Sequence, residues 1–183
     1  MGGLELVRDF VNTKDLLKEQ EELATPGDLF GWCSAQGLIR GDVTASGADL
    51  KRAIELREAL RQVLLGNTGV EVDREGAFAV LDRAARRARI ELCFEECAGE
   101  LYPAAGGITA SLGRIVIAVH KAMGAGTWAR LKACRASDCE WAFIDNAKNQ
   151  SRAWCSMSSC GNREKARAFR RRHADGVSSS SSK

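Results

Sequence analysis

The chain has 183 residues, 45% apolar and 28% charged, with two prolines and a net charge of +3. That balance excludes collagen-like, wholly disordered and disulfide-stapled mini-protein classes, and it is enough chain to bury a sizeable core plus a small appendage. No window approaches 18 uncharged apolar residues, and the opening MGGLELVRDF carries acids where a secretory signal would place basic residues, so no membrane contact and a cytoplasmic, reducing setting are expected.

Taken in order, LELVRDFVNTKDLLKEQEELAT reads as mostly helical until Thr25-Pro26-Gly27 forces a turn. Asp28 then caps LFGWCSAQGLI. After a loop from Gly41 to Gly47, Ala53, Leu56, Leu60, Val63 and Leu64 recur at three- and four-residue steps, the stripe of a helix facing a core. Gly66 to Gly69 closes that helix. A second run, Phe78, Leu81, Ala84, Ala85 and Ala88, carries Arg83, Arg86 and Arg87 on its solvated side. The period then changes to two at Ile90, Leu92 and Phe94, which with Glu100 to Tyr102 predicts a hairpin. Leu112, Ile115, Val116, Val119 and Met123 give one more helix before Gly124-Ala125-Gly126.

The expected architecture is α+β, mainly α. A helical domain with a small hairpin spans 1–123 and folds on its own, 124–129 is a linker, 130–173 is a compact cysteine module with a basic helix, and 174–183, with its five serines, is a disordered tail.

Charge and cysteine are both concentrated in the third of these segments. Residues 1–129 hold 15 Lys and Arg against 19 acids, whereas residues 130–173 hold 11 against 4. A basic module behind an acidic body is the footprint of contact with nucleic acid or another anionic surface. Four of the seven cysteines form the pattern Cys134-x4-Cys139-x15-Cys155-x4-Cys160, with Cys33, Cys93 and Cys97 scattered through the body. In a reducing compartment two equally spaced pairs point to metal, and four thiolates suit the closed tetrahedral shell of structural zinc; iron is the alternative, and a chance cluster of buried thiols is the bland reading.

Between the pairs, Trp141, Phe143, Ile144 and Trp154 supply a small apolar core around the metal, and the two indoles could instead stack on bases. After Cys160, Asn162 caps a helix with Glu164 in its first turn. Arg163, Arg167, Arg170 and Arg171 share one face for phosphates, and Ala166, Phe169 and His173 lie on the face that rests on the metal module. Lys165, Arg172, Lys148 and Arg152 add further cations for nucleic acid.

The segment RLKACRASDCEWAFIDNAKNQSRAWCSMSSCGNREKARAFRRRH resembles the CGNR zinc-finger family, named for the tetrapeptide that stands here as Cys160 to Arg163. Asp9-Phe10-Val11-Asn12-Thr13 looks like the opening motif of ABATE, the α/β domain that precedes the finger in that family of stress-induced transcription regulators. The resemblance implies zinc on the four cysteines, duplex DNA on the basic helix, and a signal sensed or relayed by the ABATE domain. Where the family carries Ser-Arg-Asn and Ser-Arg-Arg-Trp-Cys, this chain has Ala147-Lys148-Asn149 and Ser151-Arg152-Ala153-Trp154-Cys155. Two arginines are thereby lost, and with them bidentate contacts that lysine does not make.

No enzyme is expected. The chain has only His120 and His173, a four-cysteine shell leaves no open position on the metal, and Glu140 is the one carboxylate placed for hydrolysis or deamination. The function read here is a DNA-binding transcription regulator responsive to stress or an effector, usually dimeric if it reads a major groove; a zinc-braced RNA-binding or protein-assembly module is the alternative. Asn12 and Arg57, polar residues on partly apolar segments, are the candidates for lining an effector pocket.

Overall fold

The structure is a computed structural model that describes residues 3–94 and 99–177. Cys97 and the serine tail from 178 onward lie outside the described residues. Six helices and three two-stranded antiparallel sheets succeed one another along this described chain.

The opening segment is only partly helical. Helix α1, Gly3–Val11, ends at the DFVNT motif, and the chain then makes a tight hairpin, β1 (Lys14–Asp15) against β2 (Gln20–Glu21), with Glu19 at φ 55° in its turn. The correction has a local cause: the Thr13 hydroxyl donates to the Phe10 carbonyl at 2.8 Å, capping the helix end from within. Helix α2 (Pro26–Ala35) is capped by Thr25 rather than Asp28; Asp28 sits at the third helical position and bonds back to the Thr25 N–H, completing a capping box. Ser46 and Asp49 form the same box at the start of α3 (Gly47–Asn67), the longest helix and the centre of the core.

Helix α4 (Arg74–Ala88) packs along α3 and α5 (Gly107–Gly124), and the hairpin β3 (Ile90–Cys93) and β4 (Glu100–Pro103) pairs Ile90 with Pro103 and Leu92 with Leu101 beside them. Gly113 lets α5 approach its neighbours closely: a Cβ there would stand 2.5 Å from Ala88 Cβ and 3.0 Å from Pro103 Cβ.

The expected boundary at 124–129 is not a break in packing. Trp128, in a short 3-10 turn, is buried, and the next hairpin, β5 (Leu131–Ala133) paired with β6 (Ala142–Ile144), inserts Leu131, Ala133 and Ala142 into the same core as Val11, Leu60 and Leu64. Polar contacts tie the two parts as well. Asn67 Nδ2 donates to the carbonyl of Leu131 at 2.9 Å, and the Thr68 hydroxyl to that of Ala133 at 3.1 Å. Helix α6 (Asn162–Val177) closes the described chain, so residues 174 to 177, assigned to the tail by composition, continue the helix.

Candidate metal centre and nucleic-acid interface

Each cysteine pair lies on a tight turn whose backbone points N–H groups at sulfur. Cys134 comes directly after β5, and its thiol receives the N–H groups of Ala136 and Cys155; Cys139 receives that of Trp141 across Glu140, which takes φ 46° to make the turn. Cys155 and Cys160 flank a turn capped by Ser156, whose hydroxyl accepts from the Ser159 N–H; Met157–Gly161 forms one π turn that runs straight into α6. Asn162 is therefore inside the helix rather than at its cap, and Cys160 itself lies in the first helical turn. The physical reason is that Ser156, not Asn162, is the last residue in extended conformation.

The four Sγ atoms lie within 4.8 Å of one another, with Cys139–Cys155 and Cys155–Cys160 both at 3.7 Å. A tetrahedron with metal–sulfur bonds of about 2.3 Å has edges of roughly 3.8 Å, so the set matches zinc by size as well as by donor type. No two sulfurs are bonded; all four thiols are free. Crowding drives their titrations apart: the hydrogen bond from Cys139 pulls Cys134 down to about 5, while burial and the Cys134 charge push Cys155 up to about 12. A divalent cation relieves this conflict by accepting all four as thiolates. The cysteines can thus hold one zinc ion. Trp141 and Trp154 pack on the sulfur cluster, as a core role requires.

A buried ion pair that composition did not reveal shapes the segment between the pairs. Lys132 Nζ meets Asp145 Oδ2 at 2.9 Å, with side chains 6% and 0% exposed. Lys132 also donates to the carbonyls of Gln150 and Arg152, while Asp145 accepts from the Ala147 and Arg152 N–H groups. The loop from 145 to 152 is thereby wrapped around two opposite charges. The signal in the sequence was faint: Lys132 sits between Leu131 and Ala133, where a strand with one buried face turns its middle residue away from that face. Arg61 was missed in the same way. It lies four residues after Arg57 within the apolar stripe of α3, is 1% exposed, and donates to the carbonyls of Val11 at 2.8 Å and Glu140 at 3.0 Å.

The cations expected to meet nucleic acid fall into two groups. Arg163 and Arg167 turn toward the first cysteine pair, both bonding Asp138, at 3.1 and 2.6 Å, and Arg167 also bonds Glu164. The Arg167 hydrogen bond first, and then the charges of Arg163 and Arg167, hold the Asp138 carboxyl below its ordinary range. The helix faces are therefore reversed relative to expectation. The Arg163 and Arg167 side rests on the metal module, because Asp138 offers it a charge partner, while Ala166, Phe169 and His173 are turned away from it, the two rings 3.9 Å apart.

Lys165, Arg170, Arg171 and Arg172 are, among the described residues, held in no ion pair; Lys148 is likewise unpaired on the 145–152 loop. Arg152 lies over the Phe143 ring at 4.9 Å and donates to the Cys155 carbonyl at 2.8 Å.

The two residues expected at an effector pocket both have internal partners, and Asn12 also lines an open cleft between α1, α2 and β6. Arg57 is 3% exposed, grips both oxygens of Glu21 at 2.6 and 2.9 Å and reaches Glu58 and Thr13. Asn12 uses both ends of its amide on the backbone of Ala142. Elsewhere, Cys33 is buried, its thiol pushed up to about 11 by that burial, and the Glu140 carboxyl is raised by desolvation beside the metal turn. No helix of the described residues is long and apolar enough to cross a membrane.

Residues 130–173 match the family described as CGNR zinc finger. Residues 4–110 match the ABATE family, described as "Putative stress-induced transcription regulator". No curated protein matches the chain.

Proposed function

Since the chain belongs to the ABATE family and carries a CGNR zinc finger, we propose that it is a cytoplasmic, DNA-binding transcription regulator that responds to stress or to a small effector and binds duplex DNA as a homodimer. One observation carries the reading: a metal-anchored helix presents Lys165, Arg170, Arg171 and Arg172 without internal acidic partners among the described residues, while Arg163 and Arg167 brace its root on Asp138. Free cations on a rigid mount lose little order when they meet phosphates, and each such contact releases counterions. Lys148 extends this set from the loop pinned by Lys132 and Asp145. The reading assigns no catalysis; four sulfurs around one zinc leave no position for water or substrate.

A second reading has a specific observation behind it. Phe169, 55% exposed and paired with His173 amid free arginines, suits stacking on unpaired bases, as RNA or single-stranded DNA offers. The test is a salt titration of the zinc-loaded chain against duplex DNA, single-stranded DNA and structured RNA side by side. Four or five phosphate contacts predict a slope of log affinity on log salt near −4 for duplex. Tighter binding of RNA at equal salt hands the function to the second reading; no binding at low salt makes α6 a protein-docking face and ends both.

A further inference from the structure

Between α1 and α2 on one side and β6 on the other lies an open cleft of about 820 Å³, within the size range of small-ligand sites. Its walls belong to both matched segments: Glu5, Asp9 and Trp32 from the helices, Trp141 and the metal-site Cys155 from the finger. Glu22 also lines it. The polarity of this lining is one-sided. Three carboxylates face a single guanidinium, that of Arg8, whose Nε is already engaged by Asp9 at 2.7 Å. Four thiolates around a divalent ion add two further negative charges at the Cys155 end. Gln36 supplies an independent sign of a missing partner: its Oε1 is buried in this wall and accepts no hydrogen bond. A buried acceptor left unmade is costly, and a ligand N–H would relieve it.

We propose that this cleft binds a small organic cation, an amine or amidine carried on a flat apolar body. The carboxylates supply the counter-charge, the Trp32 and Trp141 rings take the body and favour a cation over their faces, and Gln36 accepts an N–H. The site gives a chemical class to the effector in the regulator reading and rests on that reading for the word effector only. Of the residues that the amino-acid pattern singled out, Asn12 lines this cleft and ties α1 to β6 through Ala142, whereas Arg57 lies outside it.

Benzamidine, benzamide and benzoate share one flat shape and differ in charge, so they isolate the electrostatic part of recognition. The zinc-loaded full chain is titrated with each, monitored by tryptophan fluorescence and calorimetry. Benzamidine saturates the site in the millimolar range or below, at least about tenfold more tightly than benzamide, and benzoate does not saturate it. The double variant Glu5→Gln/Glu22→Gln binds benzamidine about tenfold more weakly while keeping its zinc. Equal binding of benzamide, saturation by benzoate, no saturation by benzamidine, or an unchanged affinity in a zinc-replete double variant overturns the proposal. The selectivity series uses the unaltered chain, so it decides the matter even if the variant does not fold. Duplex DNA binding measured on the same preparation without benzamidine tests the regulator reading separately, and either can fail alone.

Discussion

Asn12 and Ala142 stand 130 residues apart in the chain and are joined by two reciprocal hydrogen bonds: the Asn12 amide donates to the Ala142 carbonyl at 3.0 Å and accepts the Ala142 N–H at 2.8 Å. The asparagine side chain acts as an extra edge for β6, filling the backbone positions a third strand would fill. It thus gives the DFVNT motif a physical purpose, which is to seat the finger on α1. Asn12→Ala leaves both backbone groups of Ala142 buried without partners and is expected to destabilise the chain by about 2–4 kcal/mol, read from urea unfolding.

Because Leu131, Ala133 and Ala142 lie in the helical core, zinc and helices are expected to melt together. Calorimetry of the zinc-loaded chain shows one transition, which a chelator moves to lower temperature as a whole; a separate early transition for the finger would contradict the shared core. Ending the chain at Gly124 leaves a helical body that does not melt cooperatively, since it exposes the surface of α3 that β5 covers.

Cys155→Ser opens the tetrahedral shell and is expected to abolish stoichiometric zinc by elemental analysis. Full metal occupancy in that variant would remove Cys155 from the ligand set.

Asp145→Ala strands the Lys132 ammonium in a buried site. Breaking one partner of such a pair typically costs about 3–5 kcal/mol, while replacing both partners by apolar residues costs less. Urea unfolding of Asp145→Ala and of the double variant Lys132→Met/Asp145→Leu checks this, and the double variant should recover part of the loss.

Burial pushes the Glu21 carboxyl up, but the Arg57 hydrogen bond, the Leu23 N–H and the charges of Arg57 and Lys14 outweigh it, so its folded value is lowered. A carboxyl depressed in the fold contributes stability that is complete above its unfolded value, about 4.3, and disappears as pH falls through the folded value. Arg57→Gln is therefore expected to flatten the acid limb of stability as pH falls below the unfolded carboxyl value, besides lowering stability at neutral pH. Urea midpoints measured across that fall in pH check the sign.

On α6 the two groups of arginines should separate in one experiment. Arg170→Ala lowers the salt slope of duplex binding by about 0.9 and leaves stability unchanged, whereas Arg167→Ala leaves Asp138 to Arg163 alone, loosens the helix root and changes the slope less.

Local pattern and charge count were enough to find the four cysteines that can hold zinc, the core-facing stripe of α3, a hairpin around 90–102 and the basic character of the last module. Each of these is a periodic or short-range pattern, and the physics that reads it out, side-chain direction along a helix or strand and the donor preference of zinc, acts over a few residues. Which arginines are free was decided elsewhere. Arg163 and Arg167 look the same in sequence as Arg170 and Arg171, and only the fold brings Asp138, 25 and 29 residues away, against the first two. The same holds for the packing across the boundary: Gly124 to Gly126 reads as a link and lies between the two matched segments, yet a buried Trp128 and the Asn12 edge weld the finger onto α1 and α3. Long-range pairing depends on which surfaces meet when apolar faces are buried, and no local period carries that information.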